Sequence, residues 1–165
     1  MAPKDSSDCM VNVTIEIGHK ADCLDVPTNE GFTHDWTAFV KGRSLGLDQF
    51  VKKVVFHLPK TFKMPTRTIC EPPFTVSELG YESFILPIDV HFKNKQLPTK
   101  LTFEYNIFLN AQHTPNVKNV HYEKLHFKNP YPEFKAKLLE AGGTEQNVDQ
   151  PRVPQLSSPY DVSSV

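Results

Sequence analysis

Cysteine is scarce in this chain: three residues, Cys9, Cys23 and Cys70, among 165. Their number is odd and no pair has Cys-x-x-Cys spacing. Neither a disulfide framework nor a zinc site is expected, and a reducing compartment fits best. Long hydrophobic runs are also lacking. No stretch approaches the length that spans a bilayer, and residues 1–20 have neither the basic start nor the apolar core of a secretory signal, so no membrane association is expected. Nor is one charge in excess: 18 Lys and Arg against 19 Asp and Glu leave a net −1, which gives the whole chain little non-specific attraction to nucleic acid. Catalytic signatures are missing as well. There is no Gly-x-Ser-x-Gly elbow, and Cys70 has no flanking signature. Thr33, His34 and Asp35 adjoin, but neighbours in an extended segment point to opposite sides, so no relay is expected from them. His34 is expected to be structural, bonded to a backbone group near its loop. No catalytic residue, metal or cofactor is expected.

What the chain has in quantity is period-two alternation. Val11, Val13, Ile15 and Ile17 alternate with Asn12, Thr14 and Glu16, the pattern of a strand with one buried face. Phe84, Leu86, Ile88, Val90 and Phe92 repeat it, as do Leu101, Phe103, Tyr105, Ile107 and Leu109. Shorter β-rich runs are Trp36 to Val40, Val51 to Leu58, Phe74 to Ser77 and Val120 to Phe127. About eight short strands without intervening helices predict an all-β, antiparallel sandwich. Pro87, which cannot donate to a ladder, suggests an edge or a bulge in its strand. Trp36 is expected in the core between the sheets. One short helix is predicted over Pro132 to Ala141, with Phe134, Leu138 and Ala141 on one stripe and Gly142-Gly143 as its stop. The expected organisation is a flexible N-terminus at 1–8, one domain at 9–143, and a disordered tail at 144–165 that holds a phosphorylation motif, Ser157-Ser158-Pro159.

Three turns place aromatic rings beside strand ends: Gly31-Phe32-Thr33-His34-Asp35-Trp36, Thr61-Phe62, and Leu79-Gly80-Tyr81-Glu82-Ser83-Phe84. For each ring the competing reading is packing back onto the core. If Phe62, Tyr81 and Phe32 instead gather at one sandwich end, they form a recognition pocket. A methylated lysine would suit rings with nearby carboxylates. An acylated lysine is a neutral planar amide that two rings can stack upon, each contact adding about 1 kcal/mol. Its C=O and N–H need partners, since burying either unpaired costs about 1–3 kcal/mol. The Gly80-Tyr81 backbone offers a donor, Gly80 permits close approach, and the Thr61 hydroxyl can donate or accept. An unmodified ammonium would have to be desolvated between rings. Between Asp48 and Glu71, Lys52, Lys53, Lys60, Lys63 and Arg67 occur with no acidic residue. They are either a solvated face or a basic lip that touches the phosphates of DNA. Glu78, Glu82, Glu104 and Asn106 are candidates for a polar rim that meets a basic peptide.

The first of these segments and Leu79-Gly80-Tyr81 of the third, with Phe50-Val51-Lys52-Lys53-Val54-Val55-Phe56-His57-Leu58, Phe84-Ile85-Leu86-Pro87-Ile88, Phe92-Lys93-Asn94-Lys95, Tyr122-Glu123-Lys124-Leu125, Leu138-Leu139 and Gly142-Gly143, resemble the YEATS domain, most of all its ENL-type branch from transcription-elongation proteins. The likeness runs over residues 9–143. It implies an immunoglobulin-like fold that reads acetyl- and crotonyl-lysine on histone tails, most plausibly H3, in the nucleus and without enzymatic turnover. It also implies membership of elongation or chromatin complexes if the chain is part of a longer protein. By that resemblance Phe62 and Tyr81 sandwich the acyl amide, Thr61 stands for a serine bonded to it, and the Tyr81 N–H meets the carbonyl. Phe32, Gly80 and Phe84 complete the pocket, and His57, Pro59, Leu79, Glu82 and Asn106 belong to its rim or contact the peptide. Three positions depart from the family pattern: Pro59 stands for a histidine, Thr61 for the serine, and Asn106 for an acidic residue that contacts arginine.

Overall fold

The computed structural model describes residues 8–44, 46–109 and 116–147. Residues 1–7 and 148–165, with the Ser157-Ser158-Pro159 motif, lie outside the described residues. Among the described residues, nine strands form two antiparallel sheets. The first contains β1 (Cys9–Cys23), β2 (His34–Gly42), β5 (Phe74–Gly80) and β8 (Asn116–Lys128) in the order β5-β2-β1-β8, with β9 (Thr144–Asn147) also paired to β1. The second has the order β4-β3-β6-β7, from β3 (Val51–His57), β4 (Thr66–Ile69), β6 (Phe84–Phe92) and β7 (Lys100–Ile107). The alternation expected for β1, β6 and β7 is what closes the sandwich: Val11, Ile15, Ile17, Leu86, Ile88, Val90 and Ile107 are buried between the sheets.

Two strands escaped the sequence reading because neither carries an apolar alternation. Thr66–Ile69 is an edge strand against β3. Thr144–Asn147, expected to begin a disordered tail, pairs instead with Cys9–Asn12 and moves the end of the folded unit beyond residue 143. Its side chains are exposed, so backbone pairing defines it. The one-turn helix α1 (Leu47–Phe50) also went unforeseen, being too short for a helical period. The expected helix is present as α2 (Pro132–Glu140), with Phe134 and Leu138 buried. Gly142, at φ +96°, ends it in a left-handed turn. The Gly142 N–H donates to Leu139 O at 3.1 Å and the Gly143 N–H to Leu138 O at 2.8 Å, a Schellman stop. Pro87 lies in an internal strand, not at a sheet edge, and the register shift of β6 against β3 falls near Val51 and Lys53 instead. Pairing with β3 ends at Ile88, however, so at Pro87 the strand is bonded to β7 alone and needs fewer donors.

The two ends of the sandwich differ. At the end near α2, the rings of Phe50, Phe92, Phe127 and Phe134 form a continuous chain with centroids 5.1 to 6.2 Å apart. That end is filled. The site described below occupies the other.

Where β7 and β8 approach each other, His19 is fully buried, its Nδ1 2.8 Å from the Tyr105 hydroxyl and its Nε2 2.8 Å from the Phe108 carbonyl. Because Nε2 must donate to that carbonyl, a neutral ring leaves Nδ1 to accept from Tyr105. Burial pushes the His19 pKa below its ordinary value, against an opposing pull from the Phe108 carbonyl. An unfolded chain takes up a proton here at about pH 6.5, whereas the folded chain resists it until lower pH, so stability is complete above that value and declines as pH falls through it. Resistance to unfolding by denaturant should therefore weaken from pH 7 to 5.5, with one such histidine contributing at most about 1.4 kcal/mol per pH unit. His91, lowered by burial and then by Lys53, contributes in the same direction. Comparing the pH slope of His19→Gln and His91→Gln with the parent separates the two shares; an unchanged slope in His19→Gln rejects its assignment.

Candidate functional site

Three loops meet at the end of the sandwich where β2 begins, β3 and β5 end, and β6 begins. The first is closed on itself: Thr28 N–H donates to Phe32 O at 3.0 Å, Gly31 N–H to Thr28 O at 2.9 Å, and Phe32 N–H to the Thr28 hydroxyl at 3.1 Å. Gly31, at φ +93°, supplies the left-handed residue this loop requires. The second is a turn in which Phe62 N–H donates to Pro59 O at 3.0 Å, while Leu58 N–H to Pro65 O at 2.8 Å closes its base. The third runs from Gly80 to Ser83. The Leu109 N–H donates to the Ser83 hydroxyl at 2.8 Å and holds this turn to the end of β7. The Thr33 N–H donates to Gly80 O at 2.9 Å and joins the first loop to the third.

Together the loops enclose a cavity of about 150 Å³. Its lining consists of Phe32, Pro59, Thr61 and Phe62 from the first two loops, Gly80, Tyr81 and Glu82 from the third, and Phe84 at the start of β6. The rings fall into two groups. Phe62 and Phe84 lie 6.0 Å apart by centroid and both rest on the edge or face of Trp36, at 6.1 and 5.4 Å. Phe32 and Tyr81 form the other pair at 6.2 Å. Tyr81 is 59% exposed, whereas Trp36 is wholly buried. Trp36 is thus core, as its strand position implied, and also the support beneath two lining rings. No sequence periodicity carries that second role. Glycine at position 80 lets the turn lie close to the indole: a Cβ there would crowd Trp36, 3.0 Å from its Nε1 and 3.1 Å from its Cδ1.

Several expected neighbours are elsewhere. His57 is turned away from the cavity, and its Nε2 lies 2.8 Å from Asp89 Oδ2 on the outer face of the second sheet. Burial of the Asp89 carboxyl works to raise its pKa, but hydrogen bonds from Thr102 and His57 hold it below the ordinary value. Leu79 and Asn106 do not line the cavity either. Asn106 and Glu104 border a separate hollow with Asn119, His121 and Glu123. Thr33 and His34 do touch, against the expectation for extended neighbours, because Thr33 precedes β2 and is not in the pleat: its hydroxyl is 2.8 Å from His34 Nδ1. His34 is therefore held by a side chain, not by a backbone group, and Asp35 is exposed on the opposite face.

The basic set is not one lip. Lys52 and Lys53 begin β3, and Lys60 and Lys63 lie in the exposed loop beyond its far end. Arg67 has a structural task that composition did not reveal. Its guanidinium donates to Met64 O at 2.6 Å, to Lys63 O at 2.8 Å and to Glu78 at 2.6 Å, which pins the loop that carries Thr61 and Phe62. Glu78 is accordingly committed to Arg67 and leaves the proposed rim. Among the described residues, no cluster of His, Cys, Asp or Glu is placed to hold a metal ion, and the cysteines are free.

The model of the YEATS family matches residues 31–111, the span that contains all three ring-bearing loops. The AF-9 homolog of Schizosaccharomyces pombe is 33% identical over 155 residues, covering 84% of this chain and 70% of that protein. The chain belongs to the YEATS family. Human Protein AF-9 is 49% identical over 139 residues, which span 84% of this YEATS chain but only 24% of AF-9. Among solved structures, the YEATS domain of Yaf9 recognising an H3K122suc peptide has a TM-score of 0.71 at 30% identity, covering 84% of this chain and 99% of that one. The Yaf9 domain bound to H3K27ac has a TM-score of 0.70 at 31% identity, covering 79% and 94% respectively. The two packed antiparallel sheets are the immunoglobulin-like sandwich of this family.

Proposed function

We propose that this YEATS domain reads acylated lysine in histone tails, foremost histone H3, and so links acylated chromatin to transcription regulation. The observation that carries the reading is the cavity of about 150 Å³ with two groups of rings in its lining and few polar groups. A flat, uncharged amide on an apolar stem suits such a space, and an ammonium does not. In this reading Phe62 and Tyr81 flank the amide. The exposed Thr61 hydroxyl, in the cavity lining, serves one of its polar atoms. The Tyr81 N–H donates to the acyl carbonyl, with Gly80 allowing the approach. Phe32, Phe84 and Pro59 complete the enclosure. The domain binds without turnover and acts in the nucleus. Lys60 and Lys63, in the loop that carries Thr61 and Phe62, contact DNA phosphate near the bound tail, and Lys52 and Lys53 would reach it only from the far end of β3. Elongation or chromatin complexes are its partners through any longer protein that contains it.

Titration of one histone H3 peptide in unmodified, acetylated and crotonylated forms tests this. The acylated forms are expected to bind with micromolar Kd, about −8 kcal/mol, and the unmodified form at least roughly tenfold more weakly. Equal affinity for modified and unmodified peptide removes the reading in favour of a general protein-interaction sandwich, and release of free acetate would make the domain an enzyme.

A further inference from the structure

We infer that Glu82 makes this pocket discriminate against lysine acyl groups that end in a carboxylate, in favour of uncharged groups of the same shape. The inference rests on the acyl-lysine reading of the site. Of the residues that line the cavity, Glu82 is the one that carries a formal charge. It is exposed, and it has no ion pair among the described residues. The nearby cations do not cancel it within the lining. Arg67 is held by Glu78 and two loop carbonyls, and Lys60 and Lys63 lie in the same loop without lining the cavity.

A sphere of this cavity's volume is only about 7 Å across, so a second carboxylate anywhere inside it lies within a Debye length of Glu82. The rest of the lining is rings, a proline, a threonine and a glycine, and supplies no cation to receive an anionic acyl terminus. Like charges at this separation, with water at the open mouth, differ from a neutral pair by roughly three- to tenfold in affinity. Succinyl-lysine itself is within the compass of the fold, since a Yaf9 YEATS domain was solved recognising an H3K122suc peptide. The discrimination in this chain therefore comes from charge and not from the length of the acyl group.

The test compares four versions of one peptide: unmodified lysine, crotonyl-lysine, succinyl-lysine, and the succinamide counterpart in which a carboxamide replaces the terminal carboxylate. The parent domain is expected to bind the succinamide form roughly three- to tenfold tighter than the succinyl form at low salt, with the ratio shrinking at about 0.5 M salt. Glu82→Gln should bring the ratio close to one by improving succinyl binding relative to the crotonyl form measured on the same variant. Equal binding of succinyl and succinamide by the parent, or a ratio that persists in Glu82→Gln, overturns the assignment. Failure of the crotonyl peptide to exceed the unmodified one is a different result, which rejects the acyl-lysine reading of the site and the selectivity with it.

Discussion

Tyr81→Ala should abolish most acyl-lysine binding while leaving the fold as stable as before. The two effects separate because the ring is 59% exposed and its one ring contact among the described residues is with Phe32. Truncating an exposed side chain costs the folded state little, within about 0.5 kcal/mol. The bound state loses more. A stacked ring contributes about 0.5–1.5 kcal/mol beyond its area, and the apolar area it covers on the ligand adds a similar amount. A loss of roughly 30- to 100-fold in affinity follows, at an unchanged melting temperature. Tyr81→Phe, which keeps the ring, should bind nearly as the parent does. Phe62→Ala is the informative contrast. Its ring packs against Trp36 and Phe84, so binding and stability should fall together. Calorimetric titration with thermal unfolding of the parent and these three variants checks all of this. A Tyr81→Ala variant that retains parental affinity would mean the ring does not face the ligand.

The largest stability effect is expected at Trp36. Its side chain is wholly buried, and two of the four rings that line the cavity rest on it. Replacing it with alanine removes the transfer free energy of a large ring and leaves a void, at a cost of about 3–5 kcal/mol. Against a total of about 5–15 kcal/mol for a domain of this kind, that is a large fraction. Trp36→Ala should therefore unfold at markedly lower denaturant. Any folded fraction should bind acyl-lysine poorly, because Phe62 and Phe84 lose their support. Trp36→Phe should be far milder. The indole Nε1 has no hydrogen-bond partner among the described residues, so the substitution removes ring volume but breaks no hydrogen bond. A denaturant midpoint for Trp36→Ala within error of the parent would contradict the burial seen here.

The contrast between these two aromatics shows how far sequence reading reaches. Tyr81 and Trp36 lie in neighbouring strands and turns, and both were visible as rings beside strand ends. Local context assigned Trp36 to the core, since it falls on the buried parity of β2, but left Tyr81, which follows the glycine that ends β5, open between packing and recognition. Gathering of Phe32, Phe62 and Tyr81 around one space was legible only as one of two options, because a turn residue has no pleat to dictate its direction. The resemblance to the YEATS domain favoured the pocket, and the backbone bond from Thr33 to Gly80 shows how two of those turns are joined.

Charged residues were the least legible. Arg67 and His57 looked like surface or rim groups, yet one organises the cavity loop and the other bonds Asp89. A long polar side chain goes to whichever acceptors the fold brings within reach, and those acceptors lie on other elements: Glu78 on β5 for Arg67, Asp89 on β6 for His57. Thr144–Asn147 was missed for a related reason. Its strand exists through backbone pairing with Cys9–Asn12 more than 130 positions away, and no side-chain pattern announces such a partner.

The sandwich itself could be read from residue order, because alternation depends on nothing beyond the two-residue pleat of each strand. Which end of it stays open could not. Aromatic residues are plentiful at both ends, but α2 and Phe134 fill one, while at the other three loops hold their rings apart around a cavity. That difference arises from contacts between elements distant in sequence, and it is what turns a common fold into a binding site.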